Sequence, residues 1–170
     1  MKTFLKLLIA TFFVAMSSFS FAETDDSGAY LELGISSLNI SYSKYSYSIG
    51  TTAVFYGGYN LNKNIAVELL GATSSSADNS TNLSFAGAFI KPKLELSESF
   101  ELFARLGMNN LTYSSTYSTS STNTYTAYGA GVTWLISGDK KQYLSLDYMN
   151  WASSNGVTLG GGGLTYGYRF

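Results

Sequence analysis

Neither cysteine nor histidine occurs anywhere in the 170 residues. Without cysteine, disulfides and thiolate metal sites are excluded as sources of stability. Without histidine, Ser-His and Asp-His mechanisms are closed to this chain. Proline occurs once, at Pro92, and only 12% of residues are charged. Soluble domains usually carry about 25%, so an unusual share of this surface faces something other than water. The two signs nearly cancel, to a net −1, which gives no electrostatic case for nucleic acid as a partner. Past the N-terminal stretch, no apolar run is long enough for a transmembrane helix. Tyrosine (14) and glycine (17) are abundant instead.

The N-terminus has the layout of a secretory signal. Lys2 and Lys6 provide a positive start, and Leu7 to Met16 are almost wholly apolar. Ser20-Phe21-Ala22 then places small residues at the −3 and −1 positions of a cleavage site. The apolar core falls short of the about 20 residues that span a bilayer. We therefore expect a signal peptide at 1–22, cleaved on export, and one domain at 23–170.

Beyond it, the apolar residues recur with period 2, the mark of strands with two unlike faces. Runs are expected at 29–38, 51–60, 65–73, 83–96, 101–112, 125–136, 142–151 and 157–170. The sixth is the clearest: Tyr128, Ala130, Val132, Trp134 and Ile136 oppose Ala127, Gly129, Gly131 and Thr133. Short turns follow the second, fourth and sixth runs. Longer loops rich in Ser, Thr, Tyr and Asn are expected at about 37–50, 74–82, 113–124 and 152–156. Short turns on one side and long loops on the other suit an outer-membrane barrel. The expected fold is all-β, an eight-stranded antiparallel up-and-down transmembrane β-barrel.

Alternation alone also fits a soluble barrel, but three features favour the inverted, lipid-facing arrangement. The polar set is rich in small residues such as Gly34, Ser36, Gly107, Gly129 and Gly131, which suit a lumen barely wide enough for side chains. The strand charges Glu32, Glu68, Lys91, Arg105, Asp147 and Arg169 sit opposite the apolar sets, in the half near the short turns. With three of each sign they form a compensated interior network, the form in which charge survives away from water. In that network Glu32 and Asp147 neighbour Arg169, and Glu68 neighbours Lys91 and Arg105. Aromatic girdles at the two interfaces are expected from Trp134, Tyr166 and Tyr168 on one side and Trp151 with loop tyrosines on the other.

The C-terminus, Gly163-Leu164-Thr165-Tyr166-Gly167-Tyr168-Arg169-Phe170, resembles the assembly signal of outer-membrane β-barrel proteins. Those chains end in Phe with apolar or aromatic residues at alternate positions before it, here Leu164, Tyr166 and Tyr168. The resemblance implies the barrel-assembly machinery as a partner during biogenesis. The stretch from Phe55-Tyr56-Gly57-Gly58-Tyr59 through Asn62-Lys63-Asn64 to Val67-Glu68-Leu69 is similar to a hairpin of OmpA-like and opacity-type barrels. The resemblance implies an outer-membrane location in a Gram-negative bacterium, with lipid and lipopolysaccharide around the wall. A peptidoglycan-binding domain is not expected, because the sequence stops at Phe170.

No enzyme is expected. The Gly160-Gly161-Gly162-Gly163 run lacks the Lys-Ser/Thr end of a phosphate loop, and no cofactor or metal ligand set stands out. The expected function is a surface-interaction platform that meets an extracellular ligand through Tyr42, Tyr45, Tyr47, Tyr113 and Tyr117, since tyrosine gives large contact area at low entropy cost. The alternative is a narrow porin-like channel for ions or small solutes. The exported protein should fractionate with the outer membrane, start at Glu23 and migrate differently on gels when unboiled. An unchanged migration on boiling would contradict a folded barrel.

Overall fold

The protein's structure, a computed structural model, describes residues 27–75, 81–115 and 118–170. The expected signal peptide and Tyr117 lie outside the described residues. Eight strands follow in chain order: β1 (Gly28–Tyr42), β2 (Tyr45–Asn62), β3 (Ile65–Ser75), β4 (Thr81–Ser97), β5 (Phe100–Ser115), β6 (Ser118–Leu135), β7 (Gln142–Ser154) and β8 (Val157–Arg169). Each pairs antiparallel with the next, and β8 closes on β1, so the sheet has no edge through the barrel wall. Closure is what lets a sheet stand in lipid, where an unpaired backbone amide finds no water.

The alternation resolves into two faces. Leu33, Ile35, Leu69, Ile90, Leu102, Leu106, Met108, Leu146 and Leu164 are exposed on the outer wall. Glu32, Thr52, Glu68, Arg105, Thr133 and Thr165 are buried in the lumen. At the end opposite the β2–β3 turn, outward positions change from apolar to polar at Thr51, Thr73, Ser84, Asn110 and Thr126. That change marks the upper border of the lipid-facing band.

The strands do not stop at this border, and here the structure corrects the expected loops. Positions 37–42 and 45–50 belong to β1 and β2, and 118–124 belong to β6. Two of the connections at this end are tight. Ser43-Lys44 joins β1 to β2, and Asn155-Gly156 joins β7 to β8. Asn155 and Gly156 both take positive φ, 50° and 77°, as a two-residue hairpin turn of matching twist requires. Ser and Thr alternate as readily above a membrane as within a lumen, so composition alone read these stretches as loops. The turn before β7 is fixed by its own side chains. The Ser137 hydroxyl, and after it the Lys141 amide at 3.1 Å, donate to the Asp139 carboxylate and hold its pKa below the ordinary value.

Two lumen glycines decide how the interior packs. A Cβ on Gly58 would lie 2.3 Å from Cζ of the Tyr30 ring, and one on Gly167 would lie 2.1 Å from Cζ of Tyr143. Each ring therefore lies flat against bare backbone of a neighbouring strand. Gly71, by contrast, has nothing within 4 Å of such a position. Gly58→Ala should lower unfolding stability in detergent by about 1–3 kcal/mol, the usual range for overpacking. Gly71→Ala should stay within about 0.5 kcal/mol of the wild type. Equal effects of the two would refute this account of the rings.

Candidate functional site

The lumen is filled in three tiers. Nearest the β2–β3 and β4–β5 turns, Arg169 Nη2 donates to Glu101 Oε2 at 2.5 Å, and the Arg169 guanidinium stands 5.0 Å from the Tyr143 ring centre. The partner is not the one expected from sequence. Glu32 and Asp147 are on adjacent strands, yet their carboxylates turn to the barrel axis, whereas Arg169, at the end of β8, reaches across the mouth to β5.

The middle tier is built around Arg105. Its Nε donates to Glu68 Oε2 at 2.6 Å and its Nη2 to Glu32 Oε2 at 2.6 Å. Its Nη1 donates to Asp147 Oδ2. Lys91 Nζ lies 2.6 Å from Glu32 Oε1 and 2.9 Å from Glu68 Oε1. The side chains of Arg105, Glu32 and Glu68 are wholly buried, with 0% exposure each. Three carboxylates face two cations, and neutral donors supply the rest. Tyr30 donates to Glu68 at 2.7 Å, Tyr143 to Glu32 at 3.1 Å and Thr165 to Glu32 at 3.2 Å. These are the tyrosines seated on Gly58 and Gly167. The Arg105 guanidinium also lies 4.0 Å from the Tyr56 ring centre and 4.7 Å from that of Phe103, a favourable placement for a cation deprived of water.

The upper tier is apolar. Leu38, Val54, Leu70, Phe85, Phe89, Met149 and Leu159 close over the ionic layer. Trp151 belongs here, not in an outer girdle as expected. It is 1% exposed, and its ring centre is 5.5 Å from that of Phe85. The reason is parity: Trp151 is four residues after Asp147 and so shares its inward face. Tyr128 and Tyr148 are exposed on the outer wall towards this end instead. At the other end Trp134, Tyr166, Tyr168 and Phe170 are exposed, with Trp134 stacked on Phe100. Leu164 and these β8 aromatics form an outward row.

The match to the family model "Outer membrane protein beta-barrel domain" covers residues 7–170. The chain belongs to this family of outer-membrane β-barrels. No curated protein matches the sequence. Several solved barrels share the fold. The attachment invasion locus protein Ail of Yersinia pestis, solved with the heparin analogue sucrose octasulfate, has 18% identity and a TM-score of 0.60, over 85% of this chain and 99% of its own. Neisserial surface protein A has 19% identity and a TM-score of 0.58, over 84% of this chain and 97% of its own. OprG of Pseudomonas aeruginosa has 11% identity and a TM-score of 0.54, over 85% and 97%. At these identities the likeness is one of fold.

The sequence missed Glu101, Tyr30 and Tyr143 as members of the ionic tiers. Each does lie on the inward set of its strand. Period 2 thus gave the face, while the choice of partner across the lumen depends on register and shear. Arg105→Met should destabilise the barrel by about 3–5 kcal/mol, because it leaves three carboxylates facing one lysine. Adding Glu68→Gln should recover part of that loss. Denaturant unfolding in detergent measures both, and full additivity of the two losses would contradict a shared network.

Proposed function

We propose that this protein is a closed, non-enzymatic platform in the outer membrane whose projecting strands bind an extracellular ligand. The observation that carries this reading is the pairing of a plugged lumen with a crown of strands continuing past the lipid-facing band. Lys91, Arg105 and their carboxylates cross the lumen with side-chain exposures of 0–4%. A solute would have to break this layer and then pass the apolar tier above it.

The crown is rich in uncharged hydrogen-bonding and aromatic side chains. Tyr42, Tyr45, Tyr47 and Tyr113 are exposed on it, and the rings of Tyr45 and Tyr47 stack at 6.5 Å. Among the described residues, Lys44 is the one charge above the band border. Ail was solved with a sulfated sugar, but a single lysine offers no comparable partner for a polyanion. The ligand of this crown is a neutral surface, met by tyrosine rings and by Ser and Thr hydroxyls. Residues 1–22 direct export and are then cleaved off. The Leu164, Tyr166, Tyr168 and Phe170 row is then offered to the assembly machinery before it settles against lipid and lipopolysaccharide.

Two measurements test this reading. Planar-bilayer recordings of the purified barrel should be silent, and steady openings would favour the narrow channel. Replacing Tyr42, Tyr45 and Tyr47 together with Ser should reduce adhesion of expressing cells to host cells or matrix about tenfold, the scale set by losing one or two aromatic anchors. Undiminished adhesion would remove the crown from this role.

A further inference from the structure

The crown is not closed as the barrel is. β6 pairs with β5 from Ser118 to Trp134, but with β7 only from Tyr128 to Leu135. Above Tyr128, β7 bulges between Asn150 and Ala152 and stays with β8 alone. The ladder therefore forks at the Tyr128–Asn150 pair, at the upper border of the lipid-facing band. On its β5 side, β6 continues in register up to Ser121 and pairs again at Ser118. On its other side, among the described residues, Ser120–Ala127 has no strand beside it, an open edge of roughly 26 Å at about 3.3 Å per residue.

We propose that this edge of β6 is a docking site for an extended, uncharged segment of another polypeptide, which adds as a strand beside Ser120–Ala127. The proposal deepens the surface-platform reading, on which it rests, by naming the kind of partner and the mode of capture. Main-chain hydrogen bonds would supply affinity, and alternate side chains would supply selectivity.

Three observations support it. The first is what the edge lacks. Natural edge strands are guarded by lysine, proline, bulges or short length. The segment Ser120-Ser121-Thr122-Asn123-Thr124-Tyr125-Thr126-Ala127 has no charge and no proline, and its pairing with β5 runs in unbroken register from Ser121 to Ala127, the one shift falling at its upper end. The second is the foot of the fork. Asn150 donates its Nδ2 to the Tyr128 hydroxyl at 2.9 Å, while its Oδ1 is buried without a partner. A buried acceptor left unmet is costly, and Asn150 pairs with Tyr128 directly below the open segment. The third is charge. With Lys44 the one charge on the described crown, a neutral segment approaches without desolvating ionic groups.

A second copy in the same membrane is a poor occupant. Two barrels related by rotation about the membrane normal, with strands tilted about 35–45°, would present their β6 strands crossed by about 70–90°. A ladder needs them nearly aligned, so the occupant is a segment free to orient itself.

The test uses the mature chain in nanodiscs and a fluorescent peptide copying residues 106–115, the β5 sequence that already pairs with β6. An alternately N-methylated copy of the same peptide is the control. We expect the plain peptide to bind and to slow hydrogen exchange of amides in 120–127. The methylated copy should not bind. Thr126→Lys and, separately, Ser121→Lys should each weaken binding at least about tenfold, with heat-modifiable migration showing that both barrels are intact. Equal binding of the methylated peptide, protection elsewhere than 120–127, or no binding at all would overturn the proposal. Peptide pairing without cell adhesion would uphold this edge while removing the adhesive role. Adhesion without peptide pairing would do the reverse.

Discussion

A guanidinium sealed from water cannot stand alone, and the barrel is arranged around this constraint at Arg105. Its fork faces three carboxylates that come from β1, β3 and β7, and Lys91 from β4 balances two of them. Five strands are thereby tied to one centre. Removing one partner from such a group leaves an uncompensated charge, which is far more costly than replacing the whole group with apolar residues. The network therefore fixes relative register and closure as much as it adds stability. The glycines at 58 and 167 serve the same centre, because the rings they admit bring the Tyr30 and Tyr143 hydroxyls to Glu68 and Glu32.

The inverted wall follows from the same solvent logic. Lipid rewards apolar side chains on the outside no more than a neighbouring apolar surface would, so packing inside must specify the fold. Small residues at Gly34, Gly107 and Gly131 let backbones and rings approach in the narrow lumen. The apolar tier with Trp151 and Phe85 then closes over the charges. The lumen is thus a core turned to polar chemistry at one end and to hydrophobic packing at the other.

Above the lipid-facing band, the constraints relax. Backbone groups there meet water, so full closure is no longer compulsory, and the sheet divides where β6 leaves β7. What had been a structural wall becomes a surface with tyrosines, hydroxyls and open strand edges, that of β6 among them. Function in this reading lies where the membrane stops dictating the sheet.

Much of this was legible in the sequence. Period-2 alternation gave eight strands and the face of each residue, because side-chain direction in a strand is a local property of the backbone. The bulky-against-small split showed which face meets lipid, and the paired signs of charge foretold an interior network. The tertiary structure decided what local pattern cannot hold. Arg169 found Glu101 across the mouth, because shear sets which strand ends meet. Trp151 turned inward, a matter of parity with Asp147 that its aromatic character had obscured. The stretches at 37–42, 45–50, 113–115 and 118–124 became strand, because pairing with a neighbour, not composition, makes a ladder. The open edge of β6 could only be seen once the register of both its neighbours was known.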